Sequence, residues 1–475
     1  MRKLLQIIIC ALVACGLVLV VVVQQRRTSA QTRDFSRETA RQTPAWVRDG
    51  VVYEIFPRNF SNTGDFNGIT SQLDRLRDLG VNVLWLMPIH PTGQEKKKGT
   101  IGSPYAVRDF LAINPDYGTK EDFKRLVAEA HRRRMKVIID IVANHTSWDS
   151  VLMQREGFHT RDASGKVIPP VPDWADVADL NYDNAALRTY MIDMLKFWLR
   201  EYDLDGFRCD VAGMVPTDFW ERARTELETV KPDILLLAEW SEPDLMVKAF
   251  DVDYAWPFFH AVSDAAMGKV PATAVRAAWE TERSRFPRGA LHLRFSDNHD
   301  ERRAIARLGE RGALAASALM LTLDGVPLLY NGMEVGDTAE SGAPALFEKL
   351  PIFWQIAERR PEFPRFYRQM IALRRANPAL TQGETRWLRN GDERRIVTYT
   401  RRAGNDEFLV AVNLSNDPFV GFVEASGAFN EVTPDITTDA TATAPAATRN
   451  ANERPAALPA LALDAWGYRI FRRKS

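Results

Sequence analysis

The 475-residue sequence predicts an α/β fold: a closed (β/α)8 TIM barrel with a small insertion after its third strand, then an antiparallel β domain. Three observations carry this expectation. Eight short apolar runs end in polar residues at their carboxyl side and alternate with amphipathic stretches of helical period. One connection, residues 146–180, is too long for a simple strand-to-helix loop. After residue 382 the long helical patterns stop and strand-like runs remain.

The eight runs are residues 51–55, 83–87, 137–142, 205–210, 234–239, 252–254, 291–295 and 326–329. Helical stretches lie between most of them, at 69–79, 120–133, 184–202 and 216–229. Parallel strands need crossover connections, which helices supply. An open doubly wound sheet is the alternative, but no Gly-rich phosphate loop follows the first run. A helix at 364–376 closes the barrel. Residues 46–380 are thus expected to be the catalytic barrel, with 146–180 as an inserted subdomain. Residues 381–475 are expected to be the β domain, with strands at 394–400, 407–412 and 467–471. Within it, residues 437–457 are rich in Ala, Thr, Pro and Asn and predict a loop.

At the amino end, Arg2 and Lys3 precede an apolar run, residues 4–23, broken only by Gln6. As a helix, about 20 residues rise about 30 Å, enough to cross a bilayer core. Residues 1–30 are therefore expected to be a signal peptide or a membrane anchor. Thr28-Ser29-Ala30 suits cleavage, and Leu12-Val13-Ala14-Cys15 resembles a lipoprotein box. Either reading predicts an exported chain, periplasmic or extracellular, with a membrane partner if the segment is uncleaved. The polar residues 31–45 read as a linker.

Composition excludes some classes. Lys plus Arg and Asp plus Glu both number 62, so there is no basic surplus of the kind nucleic acid requires. Three cysteines imply no disulfide framework. Cys209 lies in a predicted strand with no histidine near it in sequence to activate the thiol.

The chemistry gathers at strand ends, where barrels carry their functional residues. The third run ends Asp140-Ile141-Val142-Ala143-Asn144-His145. The fourth ends Gly206-Phe207-Arg208-Cys209-Asp210. Arg208 and Asp210 are two apart on a strand, so they share the inward face. A cation beside Asp210 favours its ionised form, as a nucleophile requires. The fifth run ends Ala238-Glu239-Trp240, and a carboxyl group after an apolar run is suited to hold a proton. The seventh leads to Asp297-Asn298-His299-Asp300. Retaining glycosidases need two carboxyl groups roughly 5–5.5 Å apart, a separation that neighbouring strand ends can supply. Taken singly, each motif also fits an ordinary role: a buried ion pair, a cap, a turn or a core histidine. Four in order at successive strand ends favour a shared site.

These four segments resemble the signature regions of the α-amylase family, glycoside hydrolase family 13. Gly64-Asp65-Phe66-Asn67-Gly68-Ile69, Tyr105-Ala106-Val107-Arg108-Asp109-Phe110, Asp179-Leu180-Asn181 and the run from Gly325 to Glu334 are similar to further segments of that family. The resemblance implies a retaining α-glycoside hydrolase acting on α-glucans or maltooligosaccharides through a covalent glycosyl-enzyme. It implies Asp210 as nucleophile, Glu239 as acid then base, and Asp300 as the carboxylate that grips sugar hydroxyls. Arg208 orients the nucleophile, Tyr105 stacks on the sugar, His145 and His299 donate to its hydroxyls, and Asp140 supports from beneath. Trp240, beside Glu239, is a further candidate platform, as are Trp148 and Trp174. No cofactor is implied for the chemistry. A structural Ca²⁺ is held by many members; Asn144 matches one ligand position, and Asp176 or Asp179 is a candidate for another. Where many members carry Lys and His beyond the nucleophile, this chain has Gly213 and Met214. The same scaffold serves transglycosylases and enzymes converting sucrose, maltose or trehalose. It also serves the non-enzymatic heavy chains of amino-acid transporters, which the intact triad here argues against.

Overall fold

The structure is a computed structural model, and it describes residues 33–339, 345–425, 427–437 and 454–474. Eight parallel strands close into a barrel: β1 (Val52–Ile55), β2 (Val83–Leu86), β3 (Lys136–Ile141), β6 (Gly206–Cys209), β7 (Leu235–Ala238), β8 (Val252–Tyr254), β9 (Leu291–Arg294) and β10 (Val326–Tyr330). Each falls within a residue or two of its predicted run. Two short strands, β4 (His145–Ser147) and β5 (Val177–Asp179), pair antiparallel at the base of the insertion.

The strands form because they are buried on both faces. The residues of β2, Val-Leu-Trp-Leu, are all buried, as a parallel strand under helices requires. The covering helices are α1 (Leu73–Leu79), α2 (Lys120–Arg132), α3 (Ala185–Tyr202), α4 (Thr217–Glu228), α5 (Leu245–Lys248), α6 (Trp256–Ala266), α7 (Thr273–Arg285), α8 (Ala304–Thr322) and α9 (Glu362–Ala376). Helix α2 shows how local sequence sets one of them. Thr119 and Asp122 form a reciprocal capping box, acids occupy the first turn and bases the last. Phe123, Leu126, Val127 and Ala130 then bury one stripe. The predicted helix at 69–79 is in fact two, Phe66–Thr70 and Leu73–Leu79, because Asp65 caps Gly68 and starts the first turn earlier.

Beyond the barrel, β11 (Glu384–Trp387), β12 (Ile396–Ala403), β13 (Asp406–Asn413), β18 (Tyr468–Lys474), β15 (Asn430–Glu431) and β16 (Arg454–Pro455) form one sheet in that order. A second sheet pairs β14 (Phe419–Phe422) with β17 (Ala460–Leu463). The sequence reading missed the short strands. Of the loop expected at 437–457, residues 438–453 lie outside the described residues, and Arg454–Pro455 is an edge strand.

Two expectations at the amino end are revised or untouched. The stretch read as a linker is, over residues 33–44, laid against the barrel. Ala40 N–H donates to the Arg288 carbonyl, and Arg41 pairs with Glu228 at 2.6 Å and with Asp251. Arg41 has a buried partner in Asp251, so the segment docks where a linker would be solvated. Residues 4–23 lie outside the described residues. Among the described residues, no helix is long and apolar enough to cross a membrane.

Candidate active site

Register decides which strand ends meet. Asp140 of β3 lies opposite Arg208 of β6, and Cys209 opposite Ala238 of β7. Asp210 and Glu239 therefore follow on adjacent strands as neighbours. The Glu239 N–H donates to the Cys209 carbonyl at 3.0 Å and extends the ladder.

Arg208 has no exposed surface and is the hub. Its Nη1 donates to Asp140 at 2.9 Å and to Asp210 at 3.0 Å, and its Nη2 lies 2.8 Å from Glu239 Oε1. One cation serves three carboxylates. Burial pushes Glu239 up to about 8 and Asp210 up to about 7, against the pull of Arg208. Asp140 rises to about 6 for the same reason. Arg208 opposes that rise at all three carboxylates, because its guanidinium is shared among them.

The backbone after Asp210 contributes as well. Val211 sits in the left-handed region at φ 37°, which is strained for a β-branched residue. That conformation aims its N–H at Glu239 Oε2, 2.8 Å away. Nothing in the side-chain pattern marks this donor.

Above the hub lies a cavity of about 340 Å³, lined by Tyr105, His145, Asp210, Glu239, His299 and Asp300. All three predicted triad carboxylates and three of the predicted sugar contacts thus face one space. Arg208 and Asp140 lie beneath it. Lys98, Trp174 and Asp176 line it too, as do Leu346 and Phe347 from the segment after β10. Trp174 stands edge-on to His145, with ring centroids 5.6 Å apart. Burial pushes His145 down to about 4, so its ring is neutral near pH 7. His299 lies against Tyr105, whose hydroxyl is 2.7 Å from its Nε2, and its Nδ1 is bonded to Glu54.

Trp240 does not line this cavity. Its indole lies on the α-carbon of Gly213, where any β-carbon would collide with the ring. The Gly213 departure noted in the sequence is thus the space Trp240 fills. Trp148 has Lys96 Nζ over its face at 3.3 Å. Cys209 is fully buried, and burial pushes its thiol up, away from nucleophilic use.

The Ca²⁺ expectation does not fit the residues present. The Asn144 amide is 3.3 Å from His145 Nδ1, and Asp176 is held by the Lys98 ammonium at 2.7 Å. Among the described residues, no group of three His, Cys, Asp or Glu is gathered as metal ligands. An ammonium already supplies the positive charge beside Asp176.

Comparison with known proteins places this site. The alpha-amylase catalytic-domain model matches residues 54–163 and 172–438. An alpha-amylase of Haloarcula japonica is 30% identical over 396 residues, covering 79% of this chain and 57% of that protein, so the chain spans little more than half of that relative. An intracellular maltogenic amylase of Bacillus subtilis is 29% identical, covering 79% of this chain and 70% of that one. The crystal structure of a maltogenic alpha-amylase from Thermotoga neapolitana superposes with a TM-score of 0.80 at 30% identity, over 90% of this chain and 99% of that one. The expectation of export is corrected here. A relative described as intracellular points against export and against an anchor, and the membrane partner draws no support from these proteins. With barrel, site and family match in agreement, the chain belongs to the alpha-amylase family and is a glycoside hydrolase.

Proposed function

We propose that this enzyme hydrolyses α-glucans or maltooligosaccharides with retention of anomeric configuration. The observation that carries the reading is the pair Asp210 and Glu239 on adjacent strand ends, both bound to Arg208 and facing one cavity. Relatives described as maltogenic amylases support short α-glucans as substrates. The catalytic unit in this reading is residues 46–380, with 381–475 as an appended β domain.

In the first step Asp210 attacks the anomeric carbon and the bond to the leaving oxygen breaks. Glu239 gives its proton to that oxygen. In the second step a water oxygen bonds to the anomeric carbon and the bond to Asp210 breaks. The water proton passes to Glu239, which restores the starting state. The reactive form has Asp210 ionised and Glu239 protonated, and burial, which raises both groups, supports one proton on the pair near neutral pH. Asp300, more than a third exposed in the cavity, is placed to grip sugar hydroxyls as positive charge develops on the ring. Tyr105 supplies an aromatic face, and His145 and His299 supply ring nitrogens, for the sugar at the cleavage point. Arg208 and Asp140 hold the nucleophile from below.

The test is Glu239→Gln. It is expected to lower kcat on maltooligosaccharides by about 10²–10⁴-fold while the unfolding midpoint stays near wild type. Wild-type turnover in that variant overturns the assignment.

A further inference from the structure

Glu54, in β1, belongs to no motif used above, yet it is fully buried at the wall of the site. Its Oε1 is bonded to His299 Nδ1, and its Oε2 has no hydrogen-bond partner. A buried carboxylate is costly unless a cation compensates it. Among the described residues, His299 is the partner it is bonded to.

Hydrogen accounting then fixes the ring. Tyr105 has one hydroxyl hydrogen, and its bond to Asp140 Oδ2, at 3.1 Å, uses it. With that hydrogen directed to Asp140, the hydroxyl oxygen 2.7 Å from His299 Nε2 accepts there, and Nε2 then carries a hydrogen. Nδ1, facing a carboxylate, must carry one too. We propose that Glu54 is a positioning residue that holds His299 doubly protonated, as a second cation beside Arg208 at the floor of the sugar site. Asp300 Oδ2 lies 3.2 Å from His299 Nε2, so the imidazolium also pairs with the carboxylate that faces the cavity. The groups facing His299 are Glu54 from β1, Tyr105 from the loop after β2, Asp140 from β3, Arg208 from β6 and Asp300 from its own loop. Carboxylates outnumber cations there, and their charge raises His299 to about 9 against the effect of burial.

This inference rests on the proposed roles of Asp300 and Glu239, and its test separates the two. In full-length protein labelled with ¹⁵N-histidine, His299 is assigned from the spectrum of a His299→Gln variant. Both His299 ring nitrogens are expected to read as protonated at pH 7.5. In Glu54→Gln the ring is expected to lose a proton at a pH lower by about 1–3 units, and the alkaline limb of kcat/KM moves to lower pH with it. Glu54→Asp, which keeps the charge, is expected to restore part of the shift. A singly protonated ring in wild type, with the proton on Glu54, overturns the proposal even if the variants fail to fold. So does an unchanged ring titration in Glu54→Gln. Loss of the catalytic reading shows elsewhere, as retained turnover in Glu239→Gln, and leaves the proton count of His299 unaffected.

Discussion

Asp205 and Asp210 flank one four-residue strand, β6, and live in opposite electrostatic worlds. At the amino end, Asp205 is surrounded by basic side chains and donors: His131 at 2.6 Å, Lys136 at 2.9 Å, Lys231 at 3.0 Å and the Val137 N–H. Burial acts to raise it, but these partners pull it well below the usual carboxylate range. At the carboxyl end, Asp210 shares one guanidinium with Asp140 and Glu239, and burial pushes it up to about 7. The same contrast recurs nearby. Asp251, at the amino end of the barrel, has both Arg41 and Arg224. Asp205 and Asp251 each contact more than one basic side chain, whereas Asp140, Asp210 and Glu239 share one guanidinium. The first arrangement favours stability, and the second keeps a proton on the carboxylate cluster.

Swapping each carboxylate for its amide should separate these roles. Asp210→Asn should lower kcat by about 10⁴-fold or more, because the nucleophile is gone. Its stability in urea should match or exceed wild type, since a poorly compensated charge is removed. Asp205→Asn should do the reverse. Breaking its buried pairs should destabilise by about 3–5 kcal/mol, while the folded enzyme keeps its kcat. If Asp205→Asn lost turnover without losing stability, the comparison would fail.

The pH dependence should follow the same split. The kcat/KM profile should be a bell whose two limbs belong to the coupled Asp210 and Glu239 pair, both raised by burial above the usual carboxylate range. For stability, Asp210 and Glu239 are raised in the folded state. Their contribution is full below their unfolded values of 3.8 and 4.5 and is lost as pH rises through about 7 and 8. Asp205 is depressed, so its contribution is present above 3.8 and lost as pH falls through its lower folded value. Unfolding midpoints should therefore fall less steeply from about pH 4.5 towards 8 in Glu239→Gln, and less steeply on the acid side in Asp205→Asn.

Two smaller effects sharpen the picture of the top end. Val211→Gly relieves the left-handed strain but loosens the N–H that holds Glu239. It should lower kcat about tenfold and leave stability within about 1 kcal/mol. Excess chelator should change neither kcat nor the unfolding midpoint, because Lys98 already neutralises Asp176. A midpoint that fell with chelator would show a metal site that these side chains do not display.

Much of this was legible in the sequence because barrel strands are short and end where polar chemistry begins. Asp210 and Glu239 each close an apolar run, Asp140 and Arg208 are charges inside one, and register does the rest. What escaped reading acts across long separations or through the backbone. Glu54 looks like the interior of a strand, and its partner His299 is 245 positions away. The Val211 N–H has no side-chain signature. Lys98 belongs to a run of three lysines that reads as a solvated loop, yet it reaches Asp176 in the insertion. The polar stretch before the barrel reads as a linker because the buried Asp251 that receives Arg41 is 210 positions away.

The contact of Trp240 with Gly213 also constrains the history this enzyme can have. In the present position of the indole a β-carbon at 213 would collide with it, so a side chain there requires the ring to move or to shrink. A lineage that placed a larger residue at 213 would pass most easily through a smaller residue at 240, which makes the order of the two substitutions matter.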